Sequence, residues 1–180
     1  MTVAIAYGWS EGPWHGKKLR QALRQAGYTT TKNLAQADLI IAHSGGCFMV
    51  PDDVDAQLIM LVGVPYWPSR HPLKSLIHKV SKERKDWRWF KKTSFNTFYQ
   101  LAHTWRWVQM YKAWKRLKLP LSSSASVVAI RNSHDVFSHP QALNDLANQH
   151  GWELIGFDGT HDDIWLNPQP YVNFLLNLQL

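Results

Sequence analysis

The chain has 180 residues, 45% of them hydrophobic, and it carries a formal net charge of +7. This length and composition predict a single globular domain, residues 1–180, and exclude both a disordered chain and two large domains. No stretch approaches 18 consecutive apolar residues, so a membrane-spanning helix is not expected. Because Cys47 is the one cysteine, no internal disulfide can form, and we expect a reducing, cytoplasmic setting.

Short apolar runs alternate along the chain with amphipathic segments. The apolar runs predict strands at residues 3–7, 28–31, 39–44, 56–64, 127–130 and 152–157. The amphipathic segments predict helices at residues 15–25, 140–149 and 169–178, and Gly27 and Gly151 end the first two. Strands that alternate with helices are typical of an α/β protein with a doubly wound, mostly parallel sheet between two layers of helices. No basic residues precede the first apolar run, residues 3–7, so we expect a strand there and not a signal peptide.

The positive charge is concentrated in residues 70–120. This segment holds fourteen lysines and arginines against two acidic residues, a net charge of +12, which leaves −5 on the rest of the chain. It is also dense in tryptophan. Apolar residues recur at helical spacing over residues 73–80 and again within about 94–117, which predicts two helices in the segment.

The stretch Ala42-His43-Ser44-Gly45-Gly46 follows a short run that is apolar on both faces, as in a buried parallel strand. The stretch fits the pattern of a nucleophile elbow, in which a small residue, any residue, a serine, any residue and a glycine follow one another. In such an elbow a strained strand-to-helix turn lifts the serine hydroxyl above the sheet. The amide of Gly45 would then point to where an oxyanion forms. The alternative interpretation is a glycine-rich turn with an ordinary serine.

Three predicted strands are followed by a serine, an acid and a histidine. They are Ser44, Asp135 and His161, and the carboxyl ends of parallel strands meet at one edge of a sheet. A serine needs a base to take its proton as it attacks, and His161 is the candidate base. Asp135 would fix the imidazole tautomer. The backbone amides of Gly45 and Trp9 are the candidate oxyanion donors.

Other residues compete for these roles. Asp135 could also simply cap a turn, and His161 could be a surface histidine. His43 is expected to point away from the site because neighbouring residues on a strand face opposite ways. Cys47 is expected to be a small buried residue and not a nucleophile. The rival histidines are His134 and His139, and the rival acids are Asp158, Asp162 and Asp163.

The order serine, acid, histidine and the motifs around them resemble small α/β hydrolases of the serine-hydrolase type. The chain is similar to retinoblastoma-binding-protein-9-like hydrolases and to minimal bacterial lipases. The resemblance covers residues 1–66 and 121–180, and Ala42 stands where most of these families have glycine, although minimal lipases also use alanine there. It implies hydrolysis of a small-molecule carboxylic ester or thioester. The motifs are Gly8-Trp9, residues 42–46, residues 133–137 and residues 159–161.

In hydrolases of this type, insertions at the position of residues 67–120 are usually caps or lids, so the resemblance implies a basic helical cap here. In one interpretation its aromatic residues pack on the core and its cations face water. In a second the segment contacts an anionic membrane surface, which would make the protein peripheral to a membrane. In a third, less favoured because the aromatic residues follow helical periodicity, it binds nucleic acid.

The rival hypothesis from another class is a non-catalytic binding module with a hydrolase-like fold, whose basic cap contacts a membrane or nucleic acid. No metal or organic cofactor is implied, because the nine histidines show no ligand spacing on a predicted helix. The acyl preference, the oligomeric state and the mobility of the cap do not follow from the sequence.

Overall fold

The computed structural model describes residues 1–8, 11–65, 104–115, 119, 124–135 and 137–178. Its centre is one six-stranded sheet in which every paired strand is parallel to its neighbour. The predicted α/β class and parallel sheet are therefore confirmed. The strands are β1 Thr2–Ala6, β2 Thr29–Thr31, β3 Leu39–His43, β4 Leu58–Val62, β5 Ser126–Asn132 and β6 Glu153–Phe157.

Helices cover both faces of this sheet, giving three layers. Residues of α1 and of the two C-terminal helices pack on one face, and residues of α3 and of the turn after β3 pack on the other. The described helices are α1 Lys17–Gln25, α2 Thr104–Lys115, α3 Pro140–His150, α4 Asp163–Leu166 and α5 Gln169–Asn177, with 3₁₀ turns at Leu34–Gln36 and Ser44–Met49.

The two central strands show why the sheet forms. Every residue of β3 and of β4 is buried. Along β3, Leu39 and Ile41 join one apolar cluster while Ile40 and Ala42 join the other. A strand that is apolar on both faces can bury all its side chains only between two layers of helices, so the sequence of these strands dictates the layered fold.

The strand order is β2-β1-β3-β4-β5-β6. The chain leaves β1 toward one edge of the sheet, forms β2, and then returns to the other side of β1 to form β3. In parallel sheets this reversal opens a crevice beyond the carboxyl ends of the two strands, here β1 and β3. Gly8 follows β1 and Ser44 follows β3, so the predicted elbow lies at this crevice.

Several predicted boundaries change. Strand β5 extends to Asn132, two residues beyond the prediction, because its pairing with β6 continues through Asn132 and Phe157. The chain after Ser44 forms a 3₁₀ turn, and α4 is a separate short helix.

Most of the predicted cap, residues 67–120, lies outside the described residues. Within it, α2 contacts the 3₁₀ turn Ser44–Met49. Trp105 on α2 is exposed, with the Lys112 ammonium 5.9 Å from the centre of its ring. Contact of this segment with a membrane or nucleic acid therefore stays a prediction from the sequence. Among the described helices, none is both long and apolar enough to cross a bilayer.

The close approach of the Ser44 turn to β1 gives a first prediction. A Cβ at Gly46 would overlap the carbonyl oxygen of Ala6 and lie 2.7 Å from its carbonyl carbon. Because both are backbone atoms, neither can move aside. Gly46→Ala should therefore lower the free energy of unfolding by about 2 kcal/mol or more.

Chemical denaturation measures this change. Gly156→Ala is the matched control, since a Cβ at Gly156 meets no atom within 4 Å. An unchanged denaturation midpoint for Gly46→Ala would contradict the described packing of the turn on β1.

Candidate active site

Ser44 occupies a strained backbone position at the crevice. Its φ is 53°, and among the described residues it is the one non-glycine residue with a positive φ. An L-residue in this conformation brings its Cβ close to the backbone, at a cost of about 1–2 kcal/mol. The strained strand-to-turn geometry expected of a nucleophile elbow is thus present at the serine that the sequence singled out.

Asp135 and His161 lie side by side. The Nδ1 of His161 is 2.9 Å from both carboxylate oxygens of Asp135. The carboxylate also accepts the backbone N–H of Phe137 at 2.8 Å. The hydroxyl of Ser138 donates to the Val64 carbonyl at 2.7 Å and lies 3.2 Å from the carboxylate. These contacts fix the position of the carboxylate in the loop after β5.

Burial gives this pair its electrostatic character. The side chain of Asp135 is 0% exposed and that of His161 is 11% exposed. Burial would raise the pKa of Asp135, but the hydrogen bond and charge of His161 and the amide of Phe137 outweigh it and hold that pKa below its usual value. Asp135 is therefore a carboxylate at neutral pH. It accepts the Nδ1 hydrogen of His161, which leaves Nε2 of the neutral ring free to act as a base.

The loops that carry Ser44 and His161 meet. The Nε2 of His43, the residue before Ser44, is 2.8 Å from the His161 carbonyl oxygen. Gly63, the residue after β4, lies against the acid–histidine pair, since a Cβ there would be 2.9 Å from His161 Nδ1. Within the described part of the chain, no hydrogen bond joins the Ser44 hydroxyl to the His161 ring. Such bonds are often long without substrate and tighten when it binds.

One of the two predicted oxyanion donors can be placed. Gly45 is buried directly after Ser44 in the 3₁₀ turn. Gly8, which precedes the other donor, lies against Ser44, because a Cβ at Gly8 would be 2.7 Å from the Ser44 Cβ. Trp9 itself lies outside the described residues.

The rival residues are placed elsewhere. His134 and Asp158 lie 3.3 Å apart with side chains 71% and 90% exposed, so they pair in solvent. The Nδ1 of His139 accepts the N–H of Ala142 and caps α3. Cys47 is fully buried, and burial raises the pKa of its thiol, so its thiolate is disfavoured.

Asp162 and Asp163 also sit outside the pair. The carboxylate of Asp163 accepts the backbone N–H and the hydroxyl of Thr160, and so closes the turn that begins α4. Asp162 precedes α4 as its N-terminal cap position, without a hydrogen bond from its side chain to the helix.

Sequence reasoning missed a second buried acid–histidine pair beside the first. His43 was expected to point away, but the centre of its ring lies 4.6 Å from that of His161. Its Nδ1 is 2.6 Å from an oxygen of Glu11, and both side chains are buried. The alignment at Nδ1 is poor for a hydrogen bond, so the two groups lie in close contact without a well-directed N–H···O bond. The one available signal was that Glu11 is the only acid in the first 37 residues.

A further set of hydrogen bonds holds the loop that carries His161. The side-chain amide of Asn132 donates to the Thr160 carbonyl at 2.7 Å, and the hydroxyl of Tyr171 donates to the Asn132 side chain at 2.9 Å. The backbone N–H of His134 donates to the Gly159 carbonyl at 2.9 Å. The loops after β5 and β6 are therefore joined on both sides of the acid–histidine pair.

The same region contains potential metal ligands. Atoms of His43, His161 and Asp162 lie within 4.8 Å of one another. Both ring nitrogens of His43, however, already contact oxygen atoms of Glu11 and His161. A metal ion would have to displace these buried contacts, so we assign none.

No protein-family model and no curated protein matches the chain. Solved structures match nearly all of it. One, from work on carboxylesterases of the thaumarchaeon Nitrososphaera gargenis, has a TM-score of 0.64 and 16% identity, covering 99% of this chain and 89% of that one. An esterase of Pyrococcus furiosus has a TM-score of 0.62 and 12% identity, with coverage of 97% and 78%.

A thioesterase domain from the curacin biosynthetic pathway matches with a TM-score of 0.61 and 11% identity, covering 97% of this chain and 90% of that one. At such low identities the similarity concerns the fold alone. The mostly parallel sheet with helices on both faces matches these structures. The protein has the α/β-hydrolase fold.

Proposed function

We propose that the protein is a serine hydrolase that cleaves small-molecule carboxylic esters or thioesters through an acyl-enzyme. The observation that carries the proposal is the strained Ser44 at the crevice, with the buried Asp135–His161 pair on the loops of neighbouring strands. The esterase and thioesterase among the similar structures support this reaction class. Their low identity leaves the acyl and leaving groups open.

The first half of the reaction forms the acyl-enzyme. The Ser44 oxygen attacks the carbonyl carbon while its proton passes to Nε2 of His161. The carbonyl oxygen becomes an oxyanion, for which the amides of Gly45 and Trp9 are the proposed donors. When the tetrahedral species collapses, the bond to the leaving oxygen or sulfur breaks and His161 returns the proton to the departing alcohol or thiol.

The second half repeats these steps with water. His161 takes a proton from a water molecule while the water oxygen attacks the acyl carbon. His161 then gives this proton to the departing Ser44 oxygen. The products are a carboxylic acid and the regenerated serine. Throughout, the ionised Asp135 stabilises the imidazolium form of His161, which appears once in each half.

Fluorophosphonate labelling tests the proposed nucleophile. Such a probe forms a bond between phosphorus and an activated serine oxygen and loses fluoride, whereas ordinary serines hardly react. We expect a single adduct on the native protein, read by intact mass, and none on Ser44→Ala.

Ser133→Ala is the matched control. Ser133 is also a loop serine with an acid nearby, since it donates to Asp158 at 2.6 Å, but we give it no role in the reaction. This variant should label like the native protein. If folded native protein takes no adduct, the hydrolase proposal fails and the binding-module hypothesis replaces it.

A further inference from the structure

We propose that Glu11 and His43 form an ionised pair that positions His161 and the loop after β1 for the reaction of Ser44. The inference rests on the proposed function and assigns a role to two residues outside the serine, acid and histidine. Both are positioning residues, because they act through the backbone that carries the reacting groups.

The contacts of the pair reach both loops. On one side, His43 Nε2 is 2.8 Å from the His161 carbonyl oxygen. On the other, Glu11 accepts the backbone N–H of Gly8 at 2.6 Å, and Gly8 begins the loop that holds the proposed donor Trp9. Glu11 also accepts the indole N–H of Trp165 at 2.9 Å, which fixes its carboxylate from α4. The pair therefore links the loop after β1 to the loop after β6, and His43 directly precedes Ser44.

The chemistry of the two contacts determines the charge of His43. Both of its ring nitrogens face oxygen atoms that can only accept, a carboxylate on one side and a carbonyl on the other. A neutral imidazole carries one N–H and can serve only one of them. The imidazolium carries two, so it can donate to the carbonyl from Nε2 while Nδ1 presents a protonated nitrogen, not a lone pair, to the carboxylate. Loss of the second proton would leave a nitrogen lone pair against an oxygen lone pair in a buried site.

The surrounding charges agree with this state. Burial alone would lower the pKa of His43, but Glu11 reverses the effect, helped by the His161 carbonyl and by Asp162, and raises it to about 9. Burial would raise the pKa of Glu11, but His43 holds it below its usual value. The titratable groups that face His43 are Glu11 from the loop after β1, Asp162 and His161 from the loop after β6, and, further off, Asp135 from the loop after β5.

A dependence on pH follows. Below pH 9 the pair is ionised and both contacts are made. As the pH rises through about 9, His43 loses a proton and one contact, and the His161 loop is released from its position. A misplacement of about 1 Å at a catalytic group can lower a rate about 100-fold. The reaction of Ser44 should therefore slow above pH 9.

Two double variants test this role without leaving a buried charge unpaired. In E11Q/H43Q the glutamine at 43 can still donate to the His161 carbonyl but cannot titrate. In E11Q/H43L that donor is lost. Asp38→Asn is the matched control, because Asp38, like Glu11, is an acid that accepts a backbone N–H at 2.6 Å, here from Thr2 at the start of β1, the far end of that strand from the site.

The readouts are kcat and KM for p-nitrophenyl acetate, the fraction of active serine from the fluorophosphonate adduct, and the labelling rate from pH 6 to 10. We expect E11Q/H43L to lose about 100-fold in kcat per active serine, with KM changed less than about threefold. We expect E11Q/H43Q to keep a larger part of kcat and to lose the decline near pH 9. Asp38→Asn should match the native protein in all readouts.

The outcomes separate the two proposals. If native protein labels but its rate stays flat to pH 10, or if the decline persists in E11Q/H43Q, the positioning role is overturned and the hydrolase proposal stands. If folded E11Q/H43L reacts at the native rate, the positioning role is likewise overturned and the hydrolase proposal stands. If E11Q/H43L does not fold, the pH profile of E11Q/H43Q decides. If native protein does not label at all, the hydrolase proposal fails and the positioning role fails with it.

Discussion

Ser44→Gly should abolish hydrolysis and at the same time raise the free energy of unfolding by about 1 kcal/mol. The activity is lost because glycine has no nucleophile. The stability rises because glycine adopts a φ of 53° without the strain that a Cβ causes, and this gain exceeds the extra entropy that glycine loses on folding. Ester turnover and chemical denaturation measure the two effects. A gain in stability on removal of a side chain is unusual and would show that strain is stored at this serine.

Ser133→Gly provides the comparison, because Ser133 is a loop serine without a positive φ. There glycine removes a hydroxyl that bonds Asp158 and Gly159, and it also increases the entropy of the unfolded chain, so this variant should be less stable than the native protein and should keep its activity. If Ser44→Gly is instead the less stable of the two, the strained turn is not present in solution.

Asp135→Asn should lower kcat by about four orders of magnitude with little change in the fold. The amide can still accept the Phe137 N–H through its oxygen, so the loop after β5 keeps its main contact. Its NH₂ group, however, faces Nδ1 of His161 and favours the tautomer with the proton on Nε2, where the base is needed. Steady-state hydrolysis of p-nitrophenyl acetate, with circular dichroism to check folding, measures the effect.

The control for this variant is Asp158→Asn. Asp158 also lies near a histidine, His134, but both side chains are exposed to solvent, so the exchange should change kcat less than about twofold. Retention of more than a tenth of native kcat by Asp135→Asn would show that the reaction does not depend on the tautomer of His161. If Asp158→Asn loses its activity instead, the acid of the reaction has been assigned to the wrong loop.

Much of the fold could be predicted because burial constrains its strands so strongly. Leu39 to Ala42 are apolar on both faces, and only a central parallel strand between two layers accommodates this pattern. Strand β5 was predicted too short because Arg131 and Asn132 are polar, and their inclusion depends on pairing with β6, which a local pattern does not reveal. The turn after Ser44 likewise depends on its contact with β1.

The proximity of Asp135 and His161 could be predicted from topology, because parallel strands bring their carboxyl ends to one edge. The Glu11–His43 pair could not. An isolated acid in a loop has no periodicity to mark it. The alternation of side chains, which placed His43 away from the site, does not describe what lies beyond the end of a strand, where the His161 loop crosses over.

The pairing of β4 with β5 has a consequence for folding. These strands are neighbours in the sheet, yet residues 63–125 separate them in the chain. The entropy of closing a flexible loop grows only with the logarithm of its length, about 0.6 kcal/mol for each doubling. An intervening segment shortened to a quarter of this length would therefore ease closure by only about 1.2 kcal/mol. We therefore expect the contact between β4 and β5 to form late and slowly, while its final stability depends little on the length of the segment between them.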